Sequence, residues 1–193
     1  TMTGMAEGSA HAWGLRWPNE TPADTNTTIT LYSEDADLVK TTGMHLIEGR
    51  DIDINKYTAD SFSVVLNEAA VQTMGFKNPV GQIINNPFEH RNWRVVGVVK
   101  NYVEGSPYEN IPPTVIMGPG GWFNTIHIKF NPGRSTADNL AKTEQVFKKY
   151  NPAYPFDYKF VDQEYAKKFD EQQRTKTMAC FFPTLAIFIY CLE

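Results

Sequence analysis

The stretch FSVVLNEAAVQTMGFKNPVGQII, residues 62–84, places a strand signal directly before a helix signal. Its apolar and β-branched beginning predicts a strand over residues 62–66. Asn67 follows at the position of a helix N-cap, where its side-chain oxygen can accept a hydrogen bond from a backbone amide. The helix predicted over 68–74 ends at Gly75, because glycine readily takes the left-handed conformation that closes helices. This unit indicates a chain that mixes strands with short helices.

Similar apolar runs predict strands along the rest of the chain. We expect these strands at residues 11–17, 27–32, 93–99, 114–117, 123–130 and 156–161. The segments 85–92 and 118–121 are rich in turn-forming residues and are predicted to connect strands as hairpins. Because strands do not alternate regularly with helices, the order of elements indicates an α+β fold and not a doubly wound sheet.

A short helix is predicted after the second strand. Ser33 is expected to cap it, and Gly43 is expected to close it. Three acids, Glu34, Asp35 and Asp37, would then lie in its first turn. A hydrolase site could be built from such a cluster, but acids in a first turn are stabilised by the helix dipole, and we favour this structural interpretation.

Two more helices are predicted towards the end of the chain. Ser135 and Asp138 have the spacing of a capping box, so a helix is expected from there to Asn151. Its apolar stripe consists of Ala137, Leu140, Ala141, Phe147 and Tyr150. A last helix is predicted from Asp162, and it runs without a Gly or Pro break from a charged stretch into apolar residues.

The composition is that of a folded domain with an acidic surface. The chain has 193 residues, of which 41% are hydrophobic and 21% are charged, so we expect one domain with two lobes. Its net charge of -4 and the lack of a Lys/Arg cluster exclude nucleic acid as an expected partner. Both cysteines, Cys180 and Cys191, lie in the terminal apolar run, so the body is indifferent to redox conditions.

The terminal run MACFFPTLAIFIYC, residues 178–191, contains no charged side chain. We interpret it as the truncated start of a transmembrane helix, for which about 20 apolar residues are needed. The alternative is a buried C-terminal helix of the domain itself. The start of the chain lacks the basic and apolar regions of a signal peptide. Leu192 and Glu193 match a common cloning junction and are expected to be vector-derived.

The sequence offers no candidate for catalysis, metal binding or cofactor binding. The histidines lack a second ligand at a metal-site spacing; they are His11, His45, His90 and His127. The glycine turn at 118–121 lacks the Lys-Ser/Thr of a phosphate-binding loop, and no serine lies in a G-x-S-x-G motif. Trp122 and Phe123 could form an exposed docking tip, but the alternating apolar residues that follow favour a strand.

The chain resembles the extracytoplasmic domains of MacB-like, FtsX-related ABC transporter permeases. The quoted stretch 62–84 and WRVVGVVKNY at 93–102 resemble their central segment. DADLVKTTGMHLIEGRDI at 35–52 resembles a family segment in which a short helix leads to a strand and a turn. YNPAYPFDYKFVDQEYAKKFDEQQRTKTM at 150–178 resembles the approach to the second transmembrane helix, and LAIFIYC at 185–191 resembles its start.

The resemblance implies a two-lobed periplasmic domain of a bacterial inner-membrane protein. Residues 1–52 and 119–177 would form a porter-like α+β lobe, and residues 53–118 an inserted, β-rich lobe. Residues 178–191 would begin a transmembrane helix, and 192–193 would be vector-derived.

The resemblance also implies a function without catalysis. A separate ABC ATPase subunit or domain would hydrolyse ATP in the cytoplasm, and this domain would transmit the resulting movement. Its expected partners are that ATPase, a second permease copy, and a periplasmic adaptor, lipoprotein or exported substrate. The alternative is an extracytoplasmic ligand-sensing domain of a membrane receptor, which would require an enclosed pocket with convergent polar groups.

Overall fold

The computed structural model describes residues 10–12, 14–18, 20–87, 90–103, 110–119, 125–164 and 166. They form a mixed sheet with short helices, which confirms the predicted α+β class. The strands are β1 Ala10–Ala12, β2 Ile29–Ser33, β3 Leu46–Gly49, β4 Ser63–Asn67, β5 Ile83–Asn86, β6 Arg91–Val99 and β7 Thr114–Met117. The helices are α1 Leu38–Thr42, α2 Glu68–Thr73 and α3 Thr136–Tyr150, and 3-10 turns span Pro22–Asn26 and Thr58–Phe62.

The sheet has β7 and β4 at its centre. Within the described residues the strand order is β1-β2-β7-β4-β6-β3, and β5 also pairs with β6. Because β6 is nine residues long, its first half can pair with β5 while its second half pairs with β3. β7 lies between β2 and β4, parallel to the first and antiparallel to the second. Segments far apart in the sequence therefore meet in this sheet.

Both faces of the sheet are buried, and β4 contributes to each. Successive side chains of a strand point to opposite faces, so Val64 and Leu66 join one apolar cluster while Val65 joins the other. Helix α2 covers the first cluster with Ala70, and α1 covers the second with Leu38. Burial of one Val or Leu side chain stabilises the fold by roughly 1.5–3 kcal/mol. The five buried residues of β4 thus organise both halves of the core.

The strand predictions are confirmed where apolar runs are continuous. β2, β4, β6 and β7 are found close to their predicted positions, and β5 and β6 form the predicted hairpin. In the predicted strand 11–17, only the beginning belongs to β1, and Arg16 forms a separate bridge to Asn85. The apolar pattern predicted neither β3 nor β5, although the resemblance over residues 35–52 implied a strand after the short helix, where β3 lies.

Two further strand predictions are wrong for the residues that the structure describes. Residues 125–130 and 156–160 form neither helix nor strand. Ile126 and Ile128 are 74% and 53% exposed, so their alternation does not reflect packing against a core in this chain.

The predicted starts of α2 and α3 are confirmed. Asn67 caps α2, and Ser135 caps α3 by accepting a hydrogen bond from the Asp138 amide at 3.1 Å. The apolar stripe predicted for α3 is not buried, since none of the helix residues is. A helical turn begins at Val161, where the Glu164 amide donates to the Phe160 carbonyl at 3.1 Å.

The remaining predictions about the end of the chain lie outside the described residues. These are the continuation of the last helix beyond residue 166, the apolar run 178–191, and residues 192–193. In the part of the chain that is described, no helix combines the length and the apolar character needed to cross a bilayer.

The sheet joins both predicted lobes. β1, β2 and β3 precede the expected boundary at residues 52 and 53, whereas β4 to β7 follow it. Pairing of β2 with β7 and of β3 with β6 therefore connects the two parts through backbone hydrogen bonds.

Candidate functional site

The acidic cluster lies outside the helix that was predicted to contain it. α1 begins at Leu38, and Asp37 stands at its N-cap with φ 60° and no capping bond from its side chain. Asp51 takes that role, since its Oδ2 accepts a hydrogen bond from the second amide of α1 at 3.1 Å. The interpretation of Glu34 and Asp35 as first-turn acids is wrong, because the chain is still leaving β2 at these positions.

Glu34 is buried at the end of β2. Ser33, predicted to cap α1, is instead the last residue of β2, and Glu34 follows it with only 5% exposure. Among the described residues, neither carboxyl oxygen of Glu34 has a hydrogen-bond partner. Burial, and to a lesser extent the nearby carboxylates of Asp51 and Asp35, together raise the pKa of Glu34 to about 9, although the Leu38 amide offsets part of the effect. These surroundings favour the protonated, neutral form of Glu34.

Arg50 and Asp60 form an ion pair that ties the end of β3 to the turn before β4; we call it the Arg50–Asp60 clamp. The Arg50 guanidinium donates to both carboxyl oxygens of Asp60, at 2.5 and 2.7 Å, and stacks 4.0 Å from the Tyr57 ring centroid. Asp60 also accepts hydrogen bonds from the Asp53 amide and the Ser63 hydroxyl, each at 2.9 Å. Burial alone would raise the pKa of Asp60, but these hydrogen bonds hold it below its ordinary value.

Glycines let backbone segments approach closely around this clamp. A Cβ atom at Gly97 would overlap the carbonyl oxygen of Arg50, and one at Gly49 would overlap the facing carbonyl of β6. A Cβ atom at Gly118 would likewise overlap the carbonyl oxygen of Asp60. The strands and turns here are packed backbone against backbone, so this region has little room to deform.

Asn67 joins three elements with one side chain. Its Oδ1 accepts from the Ala70 amide at 2.8 Å, which caps α2, and from the Thr114 amide at 2.9 Å at the start of β7. Its Nδ2 donates to the Pro112 carbonyl at 2.9 Å. The neighbouring Glu68 accepts from the Asn101 amide at 2.8 Å beyond the end of β6. These contacts fix α2 against the ends of two strands.

The segment after residue 124 presents large apolar side chains to solvent. We call this set the C-terminal apolar surface; its members are between 44% and 74% exposed and comprise Ile126, Ile128, Val146, Tyr150, Tyr154, Tyr158 and Val161. A row of rings connects α3 with the segment that follows it, through contacts of 5.5–5.6 Å among Phe147, Phe156, Tyr158 and Phe160. A surface of this kind is typical of an interaction site.

The histidines and glycines singled out in the sequence do not form a site where the structure describes them. His45 and His90 are exposed, and burial lowers the pKa of half-buried His127. Across the described ranges, no group of three His, Cys, Asp or Glu side chains is placed to hold a metal ion. The side chain of His11, residues 120–121, Trp122 and Phe123 lie outside the described part.

A surface cleft of about 320 Å³ lies at the end of α2. It is lined by Pro18, Gly75, Phe76, Lys77, Asn78 and Gln82. Its polar side chains are those of Lys77, Asn78 and Gln82, and it lies at the surface, unlike the enclosed pocket expected of a ligand-sensing domain.

Sequence reasoning identified Asn67 as a helix cap but missed its contacts with Pro112 and Thr114. It also missed the Arg50–Asp60 clamp and the burial of Glu34. These pairings join residues up to 47 positions apart, and no local pattern marks them. The described residues define an α+β domain whose distinctive features are tightly fixed strand junctions and an exposed apolar surface.

Comparison with known proteins identifies the family of this α+β domain. The sequence model of the MacB-like periplasmic core domain matches residues 8–146. The chain therefore belongs to the MacB-like periplasmic core domain family, and it is homologous to the periplasmic domains of MacB-like ABC transporter permeases. No curated protein matches the sequence.

Solved structures similar to this chain include two extracytoplasmic domains of transporters. One is the periplasmic region of MacB from Actinobacillus actinomycetemcomitans, with 17% identity and a TM-score of 0.51; 74% of this chain and 64% of that chain are covered. Another is the extracellular domain of YknZ, a noncanonic ABC-type transporter from Gram-positive bacteria, with 16% identity and a TM-score of 0.41; 57% and 52% are covered. The chain thus spans 64% and 52% of the lengths of these two structures.

Proposed function

We propose that this chain is the periplasmic domain of an ABC transporter permease in a bacterial inner membrane. The observation that carries the proposal is the family match over residues 8–146, which spans the whole sheet and most of α3. In this role the domain is not an enzyme and binds no cofactor. It transmits movement driven by ATP hydrolysis on a separate cytoplasmic ATPase, and this movement serves export or the handling of a substrate or lipoprotein.

The described contacts support a domain that moves as a unit. The Arg50–Asp60 clamp fixes the end of β3 to the turn before β4, and Asn67 fixes α2 to β7. The close backbone contacts at Gly97 and Gly118 leave these elements little room to move relative to one another. Packed elements of this kind shift as rigid bodies and do not deform continuously. A force applied at one edge of such a sheet would therefore reach the other edge.

We also propose the two-lobed division, with residues 1–52 and 119–177 in one lobe and 53–118 in the other. The two lobes would share the sheet through the β2–β7 and β3–β6 pairs. The C-terminal apolar surface supports a separate role for the segment after residue 124, since its large side chains are not packed into the sheet's clusters. A second permease copy, an adaptor, a lipoprotein or an exported substrate would bind at exposed surfaces of this kind.

The connection to the membrane would be the last helix. A helical turn starts at Val161, and we propose that the helix continues into residues 178–191 as the first turns of a transmembrane segment. A continuous helix is stiff enough to carry a rigid-body shift from the bilayer to the domain. If this proposal is correct, a stiff helix over residues 169–177 is essential for coupling ATP hydrolysis to transport.

The test uses the full transporter with its ATPase, reconstituted in membranes. Residues 169–177 are replaced by a Gly-Ser sequence of equal length, and the matched control replaces them by an Ala-rich sequence that preserves a helix. We expect ATP hydrolysis to continue while transport is lost in the Gly-Ser variant, and both to persist in the control. Transport at the wild-type rate in the Gly-Ser variant would contradict force transmission through this helix.

A further inference from the structure

Glu34 is held in place by the backbone but not by its side chain. Its amide donates to the Met117 carbonyl at 2.9 Å, which continues the β2–β7 ladder one residue beyond the strand. Side chains two positions apart share a face of a strand, so Glu34 lies on the same face as Tyr32, a member of the second apolar cluster. The carboxyl group is therefore buried beside this cluster, with both oxygens unpartnered among the described residues.

The groups around Glu34 do not stabilise a negative charge. Asp51 comes from the segment after β3 and Asp35 follows Glu34 directly, and both act on it as like charges. Tyr102 follows beyond the end of β6, and its buried hydroxyl forms no hydrogen bond of normal geometry among the described residues, although the Thr114 side chain is close enough to act on its pKa. The first turn of α1 contributes the Leu38 amide, which compensates in part without forming a hydrogen bond of normal geometry. A carboxylate in these surroundings is unfavourable unless it gains a proton or becomes hydrated.

We propose that Glu34 is a proton-binding site of the folded domain, and that loss of its proton loosens the connection between β2 and α1. In its neutral form, Glu34 places no like charge beside Asp51, whose own pKa is already raised by burial. Ionised Glu34 repels Asp51, the residue whose carboxylate holds the start of α1. The region formed by the β2–α1 connection and the Ala36–Asp53 bridge thus responds to the pH of the surrounding solution.

The direction of the pH dependence follows from where the proton binds. An unfolded chain releases the Glu proton near its ordinary pKa of about 4.3, whereas the folded domain keeps it to higher pH. The contribution of Glu34 to stability is therefore complete below about pH 4 and is lost progressively as the pH rises towards the folded-state pKa of about 9. Between these values, the ratio of folded to unfolded chain falls by up to about tenfold for each pH unit.

Urea unfolding of the 193-residue chain tests this proposal between about pH 5.5 and about pH 8.5. Glu34→Gln replaces the acid by a neutral side chain of the same shape, and Glu48→Gln makes the same substitution at an exposed position of β3. We expect the wild type and Glu48→Gln to lose stability with rising pH relative to Glu34→Gln. Equal pH slopes in the wild type and Glu34→Gln would overturn the proposal, because the histidines are common to both chains.

If Glu34→Gln does not fold, a second test is carbon NMR of the carboxyl groups in the wild-type chain, labelled at Glu. One Glu carboxyl signal should remain in its protonated position at neutral pH and shift only on further titration. Amide exchange gives the local readout: protection of Val39 and Gly43 should fall with pH relative to Val98 in β6, after correction for intrinsic exchange. A Glu34 carboxyl that titrates near its ordinary pKa, or protection at α1 that follows β6, would overturn the proposal.

Discussion

At the scale of single residues, Asn67 shows how a local signal gains a second role in the fold. The sequence identifies it as a helix cap, and the structure confirms that its Oδ1 accepts from the Ala70 amide. The same side chain also binds the Thr114 amide and the Pro112 carbonyl, which lie 47 and 45 positions away. Loss of such a side chain leaves buried polar groups without partners.

Replacement of Asn67 by Ala should lower the free energy of unfolding by about 2–4 kcal/mol, through loss of the cap and of two buried contacts. Ser135→Ala is the matched control, since it removes the exposed cap of α3 and should cost about 1 kcal/mol. Urea unfolding followed by circular dichroism measures both. Equal losses in the two variants would mean that the contacts of Asn67 with Thr114 and Pro112 contribute nothing.

Asp60 should make the domain sensitive to acid. Because its pKa is held below the ordinary value, its contribution is present above about pH 4 and is lost as the pH falls through the lower folded-state pKa. We expect Asp60→Asn to lower stability by about 2 kcal/mol at neutral pH, less than for a fully buried pair because Arg50 is partly exposed. The variant should also lose part of the acid dependence of the melting temperature between about pH 3 and about pH 5.

Exposed Asp157→Asn is the control for this substitution and should resemble the wild type. An acid dependence that is unchanged in Asp60→Asn would show that other carboxyl groups set it.

At the scale of elements, the sequence predicted strands where burial on both faces produces an uninterrupted apolar run, as in β4 and β6. The apolar pattern missed β3, Leu46–Gly49, which only the family resemblance implied, and β5, Ile83–Asn86. These short strands mix exposed and polar residues and depend on β6 for their pairing. The sequence also misplaced the start of α1, since Asp51, from beyond β3, supplies the cap. A local sequence pattern predicts whether an element is buried. It does not predict hydrogen bonds between segments that are distant in the sequence, because these depend on the complete fold.

The approach of β3 to β6 should tolerate no added side chain. Gly97→Ala would push a methyl group into the Arg50 carbonyl, and backbone cannot move aside as a flexible side chain can. Overpacking of this kind costs about 1–3 kcal/mol, which thermal unfolding would detect as a lower melting temperature. Gly133→Ala is the control, since its Cβ atom would meet only the Asn131 side chain at 3.3 Å. A melting temperature of Gly97→Ala equal to that of the control would contradict the close packing described for this pair.

At the scale of the whole molecule, the sheet and the C-terminal run should be separable. Deletion of residues 178–193 should leave the fold and melting temperature nearly unchanged, because the two apolar clusters of the sheet draw on residues 15–117. Near- and far-ultraviolet circular dichroism would measure this, and the size of the particles in solution should become more uniform as exposed apolar residues are removed. Unfolding of the truncated chain would show that the run is part of the core and not a membrane segment.

The position of β7 between β2 and β4 sets an order on synthesis at the ribosome. β2 ends at Ser33, yet its ladder partner, β7, is made only when residues 114–117 have been synthesised. The Ser33 hydroxyl donates to the Gly118 carbonyl, 85 positions later in the chain. The apolar side chains of β1 and β2 therefore remain exposed until β7 has been synthesised, while β4, β5 and β6 can already pair with one another. Closure of the long loop between β2 and β7 slows folding. Nascent chains of this domain should therefore depend on chaperones until β7 pairs with β2 and β4.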